Sequence, residues 1–139
     1  MYKRQVQYNT TADSEKALPM YIVSEAASPG STDSVHVIVA PFDGVLKRAL
    51  VRTSGAQNGN VDLRIYKIAD GTGADGFADT DEVEFVRVSM GNADTTSVFN
   101  TSGSSHFSAG EAVSVSLDMN SNPGDVNVSL IWEYNTSAL

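Results

Sequence analysis

The run Val113-Ser114-Val115-Ser116-Leu117-Asp118-Met119, the polar break Asn120-Ser121-Asn122-Pro123-Gly124-Asp125 and the run Val126-Asn127-Val128-Ser129-Leu130-Ile131-Trp132-Glu133-Tyr134 carry the strongest structural signal in the chain. Apolar residues recur at every second position on both sides of the break. That is the period of a half-buried β-strand, whose successive side chains point to opposite faces. Two alternating runs around a short polar turn predict a hairpin.

Working outward, the same period of two returns almost everywhere from Ser34 onward. Ser34 to Phe42 alternates through Val35, Val37 and Val39, and after Pro41-Phe42-Asp43-Gly44 the pattern resumes from Val45 to Thr53, which predicts two strands joined at a tight turn. Val61, Leu63 and Ile65 define a third strand, Val83 to Met90 a fourth, and Val98-Phe99 a short one. No convincing 3.6-residue stripe interrupts them. Seven or eight short strands with turns roughly every ten residues predict an all-β antiparallel sandwich, jelly-roll-like.

The first thirty-three residues differ. Residues 9–34 are rich in Ser, Thr, Asn and Ala, with Pro29-Gly30 and an isolated apolar patch, and such a segment cannot build a core of its own. The expected organisation is therefore an extended N-terminal arm over 1–33, with one short strand near 20–25, and a sandwich domain over 34–139.

Composition narrows the chemistry. The 139 residues include no Cys and two His, which removes thiol catalysis, Cys-ligated zinc and disulfide scaffolding. No apolar run approaches the ~20 residues of a membrane helix, and Met1-Tyr2-Lys3-Arg4 leads into Gln-Val-Gln rather than a signal-peptide core, so no membrane association is expected. The net charge of −8 disfavours nucleic acid as a partner. Residues 1–67 hold eight bases and six acids, whereas 68–139 hold only Arg87 against eleven acids. That split predicts a neutral-to-basic region and a strongly acidic one.

Catalytic and metal constellations are weak. His36 and His106 are the only imidazoles, with no Gly-x-Ser-x-Gly elbow and no zinc spacing. Glu82 and Glu84 share a strand face but border an acidic loop, so a glycosidase pair is not favoured. Asp70, Asp75, Asp79 and Asp81 can supply hard oxygen ligands for calcium, but their spacing does not follow the EF-hand. A solvated loop over 69–82 is the better reading. No catalytic residue, metal site or cofactor is expected.

One strand is unusual. In 45–52, Leu46 and Leu50 share a face with Arg48 and Arg52, while Lys47 falls with Val45, Ala49 and Val51, so neither face is purely polar or apolar. Such a strand suits partial coverage by a partner, or an edge strand whose charges block aggregation. Tyr2, Lys3, Arg4, Lys47, Arg48 and Arg52 are the candidate interaction residues.

The stretch Phe107-Ser108-Ala109-Gly110-Glu111-Ala112-Val113-Ser114-Val115, followed by Pro123 to Tyr134 and preceded by His36-Val37-Ile38-Val39-Ala40-Pro41-Phe42-Asp43-Gly44, resembles small all-β structural proteins of tailed bacteriophage virions. The resemblance implies a non-enzymatic role in a virion assembled in the host cytoplasm. It suggests a capsid decoration (cement) or head-fibre protein, typically a homotrimer, with the major capsid protein or another virion protein as partner. It carries over no catalytic residues. On this reading the arm from Met1 to Tyr8 reaches a neighbouring subunit while the domain clamps a capsid seam. The rival reading is a tail or head-fibre module that recognises a host-surface glycan.

Overall fold

The computed structural model describes residues 1–10, 15–18, 37–71 and 81–137. Nine strands occur among them and no helix: β1 Tyr2–Thr10, β2 Glu15–Ala17, β3 Ile38–Val39, β4 Gly44–Thr53, β5 Asn60–Ile68, β6 Glu82–Ser89, β7 Ser97–Asn100, β8 Ala112–Asp118 and β9 Gly124–Tyr134. One sheet has the order β1-β9-β4-β7. The other has the order β2-β8-β5-β6, with the two-residue β3 also pairing β8. All pairings are antiparallel.

Setting β3 aside, the first strand pairs the last, the second pairs the second-last, and so inward to β5 and β6. A long hairpin wound in this way and folded into two facing sheets is a jelly roll. The alternating residues supply the reason for two layers: each strand has one apolar face, and the two apolar faces bury each other. Trp132, Phe99, Leu63, Ile65, Leu117 and Leu130 meet in one core, each contributing roughly 1.5–3 kcal/mol by its removal from water.

Three expectations are corrected. The chain from β8 to β9 is not a hairpin, because β8 belongs to one sheet and β9 to the other; the 120–123 turn arches between layers. The turn at Pro41–Asp43 does the same between β3 and β4. Alternation gives each strand its faces but does not say whether consecutive apolar faces lie side by side or opposed. Residues 2–10 and 15–17 are not an arm, since β1 pairs β9 over its whole length, from Tyr2 opposite Trp132 to Thr10 opposite Gly124, and β2 pairs β8. Val6 enters the core from β1. The strand expected near 20–25 lies outside the described residues.

The charge split along the sequence does not become a split in space. Each sheet interleaves strands from both halves, β1 and β4 with β7 and β9 in one, β2, β3 and β5 with β6 and β8 in the other, because the jelly roll pairs early strands with late ones.

Candidate functional site

Where the register of β4 slips against β9, Leu46 stands opposite Trp132 and Arg48 opposite Ile131, so Lys47 is an extra residue. This β-bulge switches the phase of the strand. Upstream, Leu46 points into the core; downstream Ala49, Val51 and Thr53 do. The mixed faces read from the sequence are thus two clean faces out of phase, and β4 lies inside its sheet, not at an edge. Arg48, Leu50 and Arg52 share the outward face.

Lys47 lies 3.8 Å from Glu133 and Arg52 3.7 Å from Asp94, all largely exposed, so these ion pairs contribute little to stability. Lys3 shares this outer face, opposite Ile131 on β1, and Arg4 stands opposite Leu130 in the register. Of the candidate interaction residues, Lys3, Arg48 and Arg52 therefore lie on one sheet face, with Lys47 at the bulge beside it. Tyr2 does not join them: it sits at the end of the sandwich, its ring 5.1 Å from that of Tyr134.

That end is aromatic. Phe42 lies 6.2 Å from Tyr134, and Phe107 lies 5.9 Å from Tyr134 and 5.6 Å from Trp132, all edge to face, the geometry that ring quadrupoles favour. Gly44 and Phe107 exchange backbone hydrogen bonds of 2.9 and 3.0 Å. A β-carbon at Gly44 would lie 2.9 Å from the Phe107 ring, so glycine lets the ring seat there.

Two concavities flank this cluster. A slot of about 270 Å³ is lined by Tyr2, Lys3, Ile38, Pro41, Phe42, Trp132 and Tyr134. An open polar cleft of about 690 Å³ lies between Asp43, Lys67, His106, Ser108, Glu133 and the segment that follows Tyr134. Its wall is braced by Lys67, which donates to the His106 carbonyl (3.0 Å) and to Glu111 (3.4 Å), while Glu111 accepts the Ser108 N–H at 2.7 Å. Among the described residues no hydrogen bond joins the His106 ring to a serine or a carboxylate; His36 lies outside them.

The opposite sheet carries a charged network that sequence reasoning missed. Arg64 bonds Glu82 at 2.7 Å and Asp62 at 3.3 Å, and lies 4.0 Å from Glu15 and 3.9 Å from Asp118; Arg87 clamps Asp62 at 2.6 and 2.7 Å. Phe85, though half exposed, lies 6.0 and 5.9 Å below the two guanidinium groups, within cation–π range. The bonds from Arg87 hold the Asp62 carboxyl below its usual range, against the opposing cost of burial. Burial and the neighbouring Glu15 push Asp118 upward. Tyr66, which donates to Glu15, is raised by burial and by that carboxylate.

Glu84 turns away from Glu82. Burial works against its charge, but the N–H groups of Ser102 and Ser105 donate to it and hold its carboxyl low. The two carboxylates therefore brace different parts of the sandwich. Of the four candidate calcium ligands, Asp75 and Asp79 lie outside the described residues, and among those described no three His, Asp or Glu side chains form a group able to hold a metal.

With this winding established, the fold finds relatives among solved structures. A chain of the capsid of Ralstonia phage GP4 superposes with a TM-score of 0.50 and 11% identity, over 97% of this chain and 84% of that one. The match shows a shared jelly-roll fold. More distant are a mitogen from Yersinia pseudotuberculosis (TM-score 0.40, 12% identity, 98% of this chain and 86% of that one) and the sugar-binding EclA C-terminal domain (0.41, 10%, 96% and 79%). No protein-family model matches the chain, and no curated protein sequence matches it.

Proposed function

We propose that the chain is a non-enzymatic structural protein of a tailed-phage particle, a capsid decoration (cement) protein that binds across subunit junctions of the capsid lattice, as a homotrimer. The observation that carries this reading is the jelly roll, wound from residue 2 to residue 134 and shared with a phage capsid chain over nearly its whole length. The outward face of the β1-β9-β4-β7 sheet adds support. Lys3, Arg48 and Arg52 there flank Leu50, Ile131 and Val98, the last 41% exposed, a mixture of arginine and aliphatic surface that suits a protein interface. Many such contacts repeated around a lattice give avidity without a tight single site.

The arm no longer contributes to this mechanism, since residues 2–10 are committed to the sheet. The test mixes purified protein with capsids lacking it, follows co-sedimentation, and images the particles. Stoichiometric density at lattice positions, reduced by Arg48→Glu with Arg52→Glu, supports the reading; capsids that bind nothing overturn it.

The polar cleft favours a second reading, a tail or head-fibre module for a host-surface glycan. Its mixed acids, bases and hydroxyls above Phe107 and Tyr134 suit a saccharide. Glycan-array binding lost on Lys67→Ala and His106→Ala would shift the assignment there.

A further inference from the structure

The slot at the aromatic end has an unusual floor. Trp132 is 2% exposed, lines the slot, and its indole N–H has no hydrogen-bond partner. A buried donor left unpaired costs about 1–3 kcal/mol, a cost that a bound acceptor removes. The walls, Ile38, Pro41 and Phe42, bring no charged or hydrogen-bonding side chain, and only Lys3 supplies charge at the rim.

The neighbouring strand adds a second feature. β1 is the outermost strand of its sheet, and among the described residues no strand pairs its open side. Tyr2 stands in β1 directly opposite Trp132. A chain added to that open side would lie ~4.8 Å away, and its inward residue level with Tyr2 would reach the mouth of the slot. An open edge with an adjoining side-chain pocket is the general arrangement by which a sheet takes up an extended peptide.

We propose that the slot between Tyr2, Phe42 and Tyr134 binds an extended segment of a partner protein, which pairs with β1, seats a proline or aliphatic side chain between the rings, and offers a main-chain carbonyl to the Trp132 indole. Lys3 favours an acidic residue beside the seated one. A saccharide suits this slot less well, because its several hydroxyls would face walls that return few hydrogen bonds. The proposal rests on the chemistry of the slot and not on the virion reading, so either can fail alone.

Trp132 is the chain's single tryptophan, so one indole ¹H–¹⁵N resonance reports the site. The full-length labelled protein is titrated with an acetylated, amidated Val-Pro-Leu-Asp tetrapeptide and, separately, with methyl β-galactoside and methyl N-acetylglucosaminide. The expected result is a saturable downfield shift of the indole proton with the peptide, accompanied by shifts of the β1 amides over residues 3–7. Phe42→Ala, at a half-buried ring, is expected to weaken this by about tenfold, equivalent to about 1.4 kcal/mol, and Arg48→Ala to leave it unchanged. Three outcomes overturn the proposal: no shift with the peptide, saturation by a glycoside instead, or an indole shift that tracks protein concentration, which would assign the slot to a second copy of this chain.

Discussion

Single residues at two places set what the sandwich tolerates. At Gly44 an added β-carbon would lie 2.7 Å from the Glu133 carbonyl oxygen as well as against the Phe107 ring. Neither backbone nor buried ring can move freely, so Gly44→Ala is expected to destabilise by about 1–3 kcal/mol, checked by urea unfolding. In the charged network Asp62 and Asp118 have opposite signs. Asp62 is held below the ordinary carboxylate range by Arg87 and Arg64, so its contribution is present above its unfolded pKa and lost as pH falls through the folded one. Asp62→Asn should therefore weaken the fold at neutral pH and much less at about pH 3. Asp118, raised by burial and by Glu15, favours folding in its protonated form and loses that contribution as pH rises. Asp118→Asn is expected to stabilise the protein at neutral pH and change little in acid; a loss at neutral pH would show that its proximity to Arg64 outweighs its burial. This network was not legible in the sequence. Its members come from β2, β5, β6 and β8, and only the sheet order makes neighbours of Glu15 and Asp118.

Elements were legible where alternation was uninterrupted. The expected strands over 45–53, 61–66, 83–90, 113–119 and 126–134 match β4, β5, β6, β8 and β9 to within a few residues, because a period of two needs only local sequence. β1 escaped, since its one residue known to reach the core, Val6, stands among polar neighbours at Gln5 and Gln7. The bulge escaped because one extra residue inverts the phase without any Gly or Pro to mark it. Lys47 thus has two separable roles, side chain and chain length. Lys47→Ala removes only an exposed ion pair and should change stability by no more than about 0.5 kcal/mol. Deletion of Lys47 instead draws Gly44 out of register with Phe107, or Ala49 and Val51 out of the core. It should cost several times more, measured by the same denaturant unfolding, and equal effects would mean that the bulge is not needed to join the two phases.

At the scale of the molecule, the jelly roll closes by pairing its first strand with its last. The sequence reading of 1–33 as an arm and the strand seen in the structure make opposite predictions for one truncation. If residues 1–10 were an arm, their removal would leave the melting temperature of the domain almost unchanged and affect only assembly. As β1, they cover one edge of β9 along nine residue pairs and place Val6 opposite Val128 and Tyr2 opposite Trp132. Their loss opens the apolar face of β9 to water and bares its backbone edge, a template for aggregation. Since a domain of this size is stable by only about 5–15 kcal/mol, deletion of Met1 to Thr10 is expected to abolish cooperative unfolding and the near-ultraviolet signal of Trp132, or to leave an aggregating species. A soluble truncated protein that retained that signal and a nearly unchanged melting temperature would return these residues to the role of an arm free to reach a neighbouring subunit.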